Sequence, residues 1–422
     1  MMKRNWMASA AIVAASCTGI GTAWAAPACE PGNGGITLPK GFCALVAADN
    51  LGTARQAAVA PNGDLYVALQ AQEGQPGGGV VALHDTKGNG HFDVQEKFGE
   101  GSGTGIGFYN GYLYVAQTDR LVRWKMTPGQ LKPVGSMEVV VGGMVAPSEH
   151  HDKGLAFDGK GNVFINVGPP SNACQVRDRQ KGSPGQDPCP ILKEHGGVWK
   201  FDANKLNQKL TDGVRVATGL REAIAVTYHD GAAYVVMNNR DQLDSLFPEH
   251  FTRADNDDRP AEVMYRIEQG KNFGWPYCFY DYQQKKLLLN PEYGGDGKKV
   301  GRCDKFDLPV ASFPAHWAPM AVMFYDGTQF PAHYRGGAFI AFHGSWNRAP
   351  EERPGAVVYQ PFADGKASGK FEVFAGGFAG TDKLTAPTDA KARPNGVTQA
   401  PDGSLYITDS VKGKIWRVFY RP

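Results

Sequence analysis

The sequence has no marked excess of charge of either sign. It contains 44 Lys and Arg residues against 42 Asp and Glu residues, a formal net charge of +2. Loss of the N-terminal segment that carries Lys3 and Arg4 would leave 42 residues of each sign. Nucleic-acid-binding surfaces are rich in Lys and Arg, so this composition argues against a nucleic-acid partner.

Long apolar runs are absent after the N-terminal segment, so no transmembrane segment is expected in the mature chain. Residues 1–25 have the pattern of a signal peptide, with a basic start, an apolar run over 8–15 and a final Ala-x-Ala cleavage site. That run is shorter than the roughly 20 residues that span a bilayer. We therefore expect one mature domain over 26–422 and a periplasmic or secreted location. A membrane anchor and lipidation at Cys17 are the alternatives.

The sequence also lacks Cys-x-x-Cys and Cys-x-x-Cys-His, which argues against a cysteine-based metal site and an attached c-type haem. Six cysteines remain once Cys17 is set aside. They form three sequence-local couples: Cys29 with Cys43, Cys174 with Cys189, and Cys278 with Cys303. Exported proteins retain disulfides. We expect these short loops to be closed, although six cysteines allow 15 different pairings.

No segment of useful length has helical periodicity, whereas glycine and proline are frequent. The 54 Gly and 28 Pro residues separate short apolar runs, a pattern typical of an all-β chain with many turns. A unit of two apolar strands around a glycine-containing turn recurs. The copies are VAPNGDLYVAL from Val59, GFYNGYLYVAQ from Gly107, LAFDGKGNVFINVG from Leu155, VTYHDGAAYVVMN from Val226, VMFYDG from Val322 continued at AFIAFHGS, and VTQAPDGSLYITDS from Val397. Asn-Gly and Asp-Gly permit the positive φ of a tight turn, so each copy predicts a β-hairpin.

The first three copies begin 48 residues apart, at 59, 107 and 155. A period of this size with several strands per unit is typical of a β-propeller. The predicted fold is therefore all-β: one six-bladed β-propeller with long inter-strand loops. The C-terminal strand Ile415–Tyr420 is expected to complete the first blade and close the ring. A β-sandwich with insertions is the alternative.

Histidine, arginine and aromatic residues are concentrated beside these hairpins. The motifs are Glu149-His150-His151-Asp152-Lys153-Gly154, GLRE at 219–222, NNRD at 238–241, FGWPYC at 273–278, HGSWNR at 343–348 and ARPNGV at 392–397. A loop histidine can serve as a general base near neutral pH. A radial fold would bring Arg221, Arg348 and Arg393 to the channel mouth, where guanidinium groups suit the carboxylates of a polyanionic planar ligand. Taken singly, each of these residues is more often solvated or ion-paired.

In this order the motifs resemble those of the glucose/sorbosone dehydrogenase family, over about 54–417. The FGWPY and HGSWNR variants are more similar to its sorbosone dehydrogenase branch. The resemblance implies an exported propeller that uses pyrroloquinoline quinone (PQQ) and calcium. It also implies oxidation of an aldose or related aldehyde, and transfer of electrons to a separate acceptor such as a cytochrome or a quinone carrier.

The resemblance further implies roles for individual residues. His151 would be the general base while hydride passes to the quinone, with His150 as the alternative. Arg221 would face the quinone oxygens, and Arg393 would pair with a cofactor carboxylate. The cofactor pocket would be lined by Trp346, Asn347 and Arg348, with core packing as the alternative for Trp346. Calcium is expected at the backbone carbonyls of Asn239, Arg240 and Asp241. Residues 85–96 partly match an EF-hand loop, with an ordinary hairpin loop as the alternative.

Two residues depart from the family pattern. Glu222 follows Arg221 where an asparagine is common, so its carboxylate would oppose an anionic cofactor or pair with Arg221. Asn395 stands where the glucose dehydrogenases carry a second arginine. Two other functions therefore stay open: a calcium-dependent propeller lactonase that uses Glu222, Asn238 and Asp241, and a non-catalytic binding propeller.

Overall fold

The computed structural model describes residues 27–71 and 77–422. The predicted signal peptide at 1–25 lies outside the described residues. Within these two ranges, no helix combines the length and the apolar character needed to cross a membrane.

Six sheets arranged around a central channel form a β-propeller in the described part of the chain, which confirms the predicted fold class. From the inner edge outward, blade 1 consists of Ala54–Val59, Leu65–Leu69, Gly79–His84 and Val94–Phe98. Blade 2 consists of Gly103–Tyr109, Tyr112–Gln117, Leu121–Lys125 and Glu138–Val141. Blade 3 consists of Leu155–Phe157, Asn162–Val167, Gly197–Asp202 and Val214–Thr218, with Lys271–Asn272 added in parallel. Blade 4 consists of Glu222–His229, Ala232–Asn238, Glu262–Ile267 and Ala311–Phe313. Blade 5 consists of Pro319–Phe324, Ala338–Phe342, Ala356–Gln360 and Glu372–Ala375. Blade 6 consists of Pro394–Gln399, Leu405–Asp409, Ile415–Tyr420 and Phe42–Ala48. The first strands of neighbouring blades contact one another and therefore surround the channel.

Each predicted hairpin forms the first two strands of a blade. The turn dipeptides behave as their chemistry requires. Asn110 and Gly111 have φ of 48° and 78°, and Asp230 and Gly231 have φ of 45° and 78°. Two consecutive positive φ values match the twist of the flanking strands, which explains why these dipeptides occur at the hairpin ends.

The ring is closed in the direction opposite to the expected one. Ile415–Tyr420 does not join blade 1, which has four strands of its own between residues 54 and 98. Instead it pairs antiparallel with Phe42–Ala48, so the N-terminal strand becomes the outer strand of blade 6. The reason is that the sequence repeat starts at an inner strand, which leaves the strand before the first repeat to complete the last sheet.

Insertions explain why the hairpins become more widely spaced after the third copy. Blade 4 carries the helices Leu243–Leu246 and Arg253–Asp258, and the ribbon Cys278–Asp281 with Lys286–Leu289. A smaller ribbon, Phe362–Ala363 with Lys366–Ala367, belongs to blade 5. Short 3-10 turns occupy Pro31–Gly35, Pro190–Lys193, Leu210–Asp212, Pro291–Tyr293, Gly301–Lys305, Ala332–Tyr334 and Pro387–Asp389.

All three predicted disulfides are confirmed. They join Cys29 to Cys43, Cys174 to Cys189, and Cys278 to Cys303. The second closes the loop that separates strands two and three of blade 3, and the third ties the blade 4 ribbon to the 3-10 turn Gly301–Lys305. These two cross-links restrain the insertions, and the first ties the N-terminal segment to the outer strand of blade 6. Buried apolar side chains between neighbouring blades hold the ring itself.

Candidate functional site

The predicted site motifs lie on one face of the propeller. Because strands alternate in direction, the start of each inner strand and the end of each second strand meet at the same face. The motifs around His151, Arg221 and Arg393 precede inner strands, whereas NNRD and HGSWNR follow second strands. The fold therefore gathers segments that are far apart in the sequence.

Blades 4 and 5 enclose a cavity of about 170 Å³ at this face, which we call the blade 4–5 cavity. Its polar lining residues among those described are Arg221, Glu222, Asn238, Asn239, Asp241, Glu262, His316 and Asn347. Trp346 stands at its rim with 51% of its surface exposed, which excludes core packing for this side chain.

Arg221 is the cation of the blade 4–5 cavity, and its side chain is only 1% exposed. It donates to Asp241 Oδ2 at 2.8 Å and to the carbonyl oxygen of Asn239 at 2.8 Å. Glu222 Oε2 is farther away, at 3.7 Å. Asp241 also accepts from Asn347 Nδ2 at 3.2 Å. The charge of Arg221 is therefore compensated mainly by Asp241. The sequence predicted Glu222 as a possible ion-pair partner of Arg221, but Asp241 is the nearer carboxylate.

Two further carboxyl groups in this cavity are protonated more readily than usual. Burial raises the pKa of Glu222 to about 7, assisted by Asp152 and opposed by Arg221. Burial also raises the pKa of Glu262 to about 8, although Glu262 accepts a hydrogen bond from the amide of Asn239 at 2.9 Å. Near neutral pH the cavity therefore carries less negative charge than its sequence suggests. A protonated carboxyl group can also donate a hydrogen bond.

The tandem histidines have different environments. His150 is buried, and its Nδ1 lies 2.7 Å from the carbonyl oxygen of Pro169. Burial, reinforced by Arg221, holds the pKa of His150 well below its ordinary value. The side chain of His151 is 38% exposed, with Nε2 lying 3.4 Å from Gln70 Nε2 and 3.9 Å from an Asp152 carboxylate oxygen. His151 is thus the histidine that a substrate can reach.

Arg55 connects the His151 side of the channel mouth to the Arg221 side. Its guanidinium contacts the carboxylate of Asp152, the residue after His151. Asp152 raises the pKa of Glu222, the residue after Arg221, and Arg55 lowers it. Both groups therefore act across the mouth on blade 4.

Arg393 belongs to the same mouth through His343. Arg393 Nε donates to the carbonyl oxygen of His343 at 3.0 Å, and Nη2 donates to that of Gly344 at 2.9 Å. Burial lowers the pKa of His343 well below its ordinary value, and Arg393 and Arg55 lower it further. The three residues singled out by sequence, His151, Arg221 and Arg393, therefore surround one mouth.

Arg348 takes a different position from Trp346 and Asn347. Among the described residues, Trp346 and Asn347 line the blade 4–5 cavity, but Arg348 does not. Its Nε donates to the carbonyl oxygen of Asp257 at 3.1 Å, at the second helix of blade 4. This contact anchors the HGSWNR loop to the insertion.

Several buried polar atoms at the mouth lack a hydrogen-bond partner within the described structure. In the blade 4–5 cavity these are Arg221 Nε, Asn238 Oδ1 and Asn347 Oδ1. Arg55 Nε and both side-chain polar atoms of Asn395 share this property, and Asn395 is fully buried. Buried polar groups in proteins are normally paired. The set of donors and acceptors therefore suits a polar ligand.

Two of the three expected calcium carbonyls, those of Asn239 and Asp241, already accept hydrogen bonds. The carbonyl oxygen of Asn239 accepts from Arg221, and that of Asp241 accepts from Asn172 Nδ2 at 3.1 Å. The side chain of Arg240 points away to Glu292. In the described ranges, no group of three or more His, Cys, Asp or Glu side chains is arranged to hold a metal ion. The backbone carbonyls at 239 and 241, as they stand, do not fit calcium.

The EF-hand-like segment has the contacts of a hairpin loop. Asp85 accepts hydrogen bonds from the backbone amides of Lys87 at 3.2 Å and Gly90 at 2.6 Å. The Asp93 carboxylate accepts hydrogen bonds from the backbone amide and the hydroxyl group of Thr86. These carboxylates close the loop on itself.

Sequence reasoning missed three residues of the mouth: Arg55, Glu262 and His316. Arg55 is the second residue of an inner strand and Glu262 begins a third strand, so each is a charge at the end of an apolar strand. That placement was the available signal. His316 lies in an unpatterned loop, where its Nε2 contacts the carbonyl oxygen of Asn256 at 2.7 Å, and nothing in the sequence marks it.

Two relatives found by sequence are about a quarter identical to this chain over the aligned residues. An uncharacterized protein from Borreliella burgdorferi is 24% identical over 338 residues, which cover 75% of each chain. The pyrroloquinoline quinone-dependent pyranose dehydrogenase of Coprinopsis cinerea is 23% identical over 271 residues, which cover 56% of this chain and 36% of that protein. The chain therefore matches little more than a third of the length of the latter.

Solved structures share the fold. The calcium structure of the Trichoderma reesei family AA12 enzyme has a TM-score of 0.73 at 17% identity, covering 92% of this chain and 97% of the other. The holo PQQ domain of the Coprinopsis cinerea pyranose dehydrogenase has a TM-score of 0.71 at 16% identity, covering 91% and 97%. The TrAA12-like family model matches residues 36–421. The chain therefore belongs to the TrAA12-like family.

Proposed function

We propose that this protein is a PQQ-dependent oxidoreductase that oxidises a pyranose sugar or a related aldehyde. The observation that carries the proposal is the mouth itself, which has an accessible histidine, three arginines (Arg55, Arg221 and Arg393) and a set of unpaired buried polar atoms. The named PQQ-dependent relatives support it. The FGWPY and HGSWNR motifs favour a substrate of the sorbosone type.

His151 is the proposed general base. Its Nε2 would accept the proton of the substrate hydroxyl, and the neighbouring Asp152 carboxylate would stabilise the imidazolium that forms. Asp152 is itself fixed by Arg55 and by Thr104 Oγ1, which donates at 2.7 Å. The base is therefore supported by residues from blades 1 and 2.

The arginines are the proposed holders of the cofactor. Arg393 and Arg55 would face carboxylates, and Arg221, whose Nε is unpaired, would stabilise negative charge that develops beside it. When bound, PQQ would accept the hydride from the substrate carbon that bears the hydroxyl. We assign no step to calcium, because two of the three expected carbonyls accept hydrogen bonds from protein donors.

Export and a separate electron acceptor complete the proposal. Three disulfides are expected in a protein that functions in an oxidising compartment, which supports a periplasmic or secreted location. Electrons would leave to a separate cytochrome or quinone carrier, since the sequence has no haem attachment motif.

Reconstitution tests the proposal directly. Purified protein is incubated with PQQ, with and without calcium, and dye-coupled oxidation is measured over a panel of pyranoses and aldehydes. We expect PQQ binding and turnover of at least one substrate. Absence of PQQ binding together with absence of turnover across the panel would reject the proposal.

A calcium-dependent lactonase is the second candidate, because Glu222, Asn238 and Asp241 line the same cavity together with Glu262. Carboxylate and amide oxygens are calcium ligands, but binding would require these described side chains to rearrange, since they form no metal-binding group as they stand. Lactone hydrolysis that requires calcium and proceeds without PQQ would favour this candidate. If the protein shows neither activity but binds a polar ligand, a non-catalytic binding propeller would be the remaining function.

The affinity for PQQ should depend on pH through Glu222. The pKa of this group is about 7, so it is neutral at lower pH and becomes anionic as the pH rises. We expect the affinity for the anionic cofactor to fall by up to about tenfold per pH unit above this point, because one proton is linked to binding. The Glu222→Gln variant should lose the step near pH 7 and keep only the later one of Glu262, whose pKa is about 8. Titrations of PQQ fluorescence between about pH 5.5 and 8 measure it, with the exposed Glu351→Gln as control. An unchanged pH profile in Glu222→Gln would contradict the assignment.

A further inference from the structure

Lys153 is a buried ammonium with no carboxylate among its hydrogen-bond partners. Its exposed fraction is 0%. Its Nζ donates to three backbone carbonyl oxygens: Thr118 at 2.5 Å, His151 at 3.1 Å and Val145 at 3.4 Å. Burying a charge without an opposite charge in contact is costly. An apolar side chain could fill this space without burying a charge, so the ammonium is expected to serve its three acceptors.

The three acceptors belong to three different segments of the chain. Thr118 directly follows the second strand of blade 2, and Val145 lies in the loop that leads to blade 3. The third acceptor is the carbonyl of His151. An ammonium group has three N–H donors, so each acceptor takes one and the group is fully used.

The neighbouring backbone is held by other contacts. The carbonyl oxygen of Asp152 accepts from Asn166 Nδ2 at 3.0 Å, and that of Lys153 accepts from the amide of Gly105 at 2.8 Å. The side chain of Asp152 is fixed by Arg55. The carbonyls of Asp152 and Lys153 are thus held by other residues, and the ammonium of Lys153 holds the carbonyl of His151.

We propose that Lys153 is a positioning residue that holds the backbone of His151 in place for proton transfer, by linking it to blade 2 and to the loop before blade 3. This inference rests on the proposed role of His151. The ammonium form is required because the neutral amine has only two N–H donors for three carbonyls.

A pH dependence follows from this arrangement. Burial lowers the pKa of Lys153 to about 8, while Asp152 and Asp119 oppose the shift. His195 also faces this group, and Lys153 contributes to the lowering of its pKa. As the pH rises through about 8, Lys153 loses a proton and one carbonyl loses its donor. Turnover should therefore decline on the alkaline side with little change in KM.

The test is the Lys153→Met variant, with the exposed Lys181→Met as control. We expect kcat to fall by about 10- to 100-fold, since small misplacements of a catalytic group have effects of this size. PQQ affinity should be retained, and Tm should fall only slightly, because the loss of three hydrogen bonds to carbonyls is offset by removal of the cost of burying the charge. The alkaline limb of the kcat profile should disappear. Wild-type kcat in this variant, or a loss of kcat matched by large losses of Tm and PQQ affinity, would overturn the proposal.

A second measurement keeps this inference separate from the proposed function. The imidazole NMR signals of His151, assigned by their loss in His151→Ala, report its position without any turnover. We expect them to shift or broaden in Lys153→Met and to stay unchanged in Lys181→Met. Unchanged His151 signals in Lys153→Met would overturn the positioning role even in a protein that oxidises no sugar. If the wild type shows no oxidase activity but the His151 signals still change in Lys153→Met, only the proposed function would be rejected and the positioning role would stand.

Discussion

The His151→Ala variant is expected to turn over substrate about 10²- to 10⁴-fold more slowly than the wild type, the range over which a general base contributes. Its affinity for PQQ should change little, because the proposed holders of the cofactor are Arg55, Arg221 and Arg393, and these remain in the variant. The lost group is the accessible imidazole beside Asp152. Steady-state dye-coupled kinetics and PQQ titration of the same preparation provide the two measurements.

The neighbouring histidine provides the matched comparison. His150 is buried against Pro169, so His150→Gln should lower Tm while leaving most of the turnover. The two variants thus separate a catalytic histidine from a packed one. Full rate in His151→Ala, or a greater loss of rate in His150→Gln, would transfer the role of base to His150.

The largest effect on stability is expected at the ion pair of Arg240 with Glu292. Their side chains are 1% and 0% exposed, and the charged atoms lie 2.5 Å apart. Arg240→Met would leave the Glu292 carboxylate buried without its partner, which typically costs about 3–5 kcal/mol of unfolding free energy. Thermal unfolding of the protein without cofactor measures the loss as a lower Tm.

Two further variants define what this loss means. Replacing both partners, as Arg240→Met with Glu292→Leu, should restore most of the stability, because no unpaired charge remains. The exposed pair of Arg302 with Asp187 is the control, and Asp187→Asn should cost less than about 1 kcal/mol. A loss in the double variant as large as in Arg240→Met would show that the pair itself, rather than the unpaired charge, matters.

The sequence predicted the fold more completely than the site, for a physical reason. A hairpin is encoded locally, since a dipeptide such as Asn110-Gly111 determines the turn and the apolar residues on either side determine the strands. The direction of ring closure is not encoded locally, because it depends on which sheet lacks a strand. The prediction for Ile415–Tyr420 was therefore wrong in its partner although right in its being the strand that closes the ring.

The site could be placed by motif order but not resolved into contacts. Position at a strand end was enough to gather His151, Arg221 and Arg393 at one mouth. It could not show that Asp241, rather than Glu222, is the main ion-pair partner of Arg221. That depends on the distances from the Arg221 guanidinium, which are 2.8 Å to Asp241 and 3.7 Å to Glu222. Nor could it show that Arg348 binds an insertion helix, since the partner lies 91 residues away.

Closure by the N-terminal strand has a consequence for biosynthesis. Blade 6 combines residues 42–48 with residues 394–420, so its sheet cannot be completed until nearly the whole chain is available. Contacts between such distant segments slow folding, and until the C-terminal strands are made Phe42–Ala48 has no partner strand, a condition that promotes aggregation. In a chain without Phe42–Ala48, Ile415–Tyr420 would keep the unsatisfied edge. A shortened form that begins after residue 48 should therefore self-associate, even though every residue of the candidate site is still present.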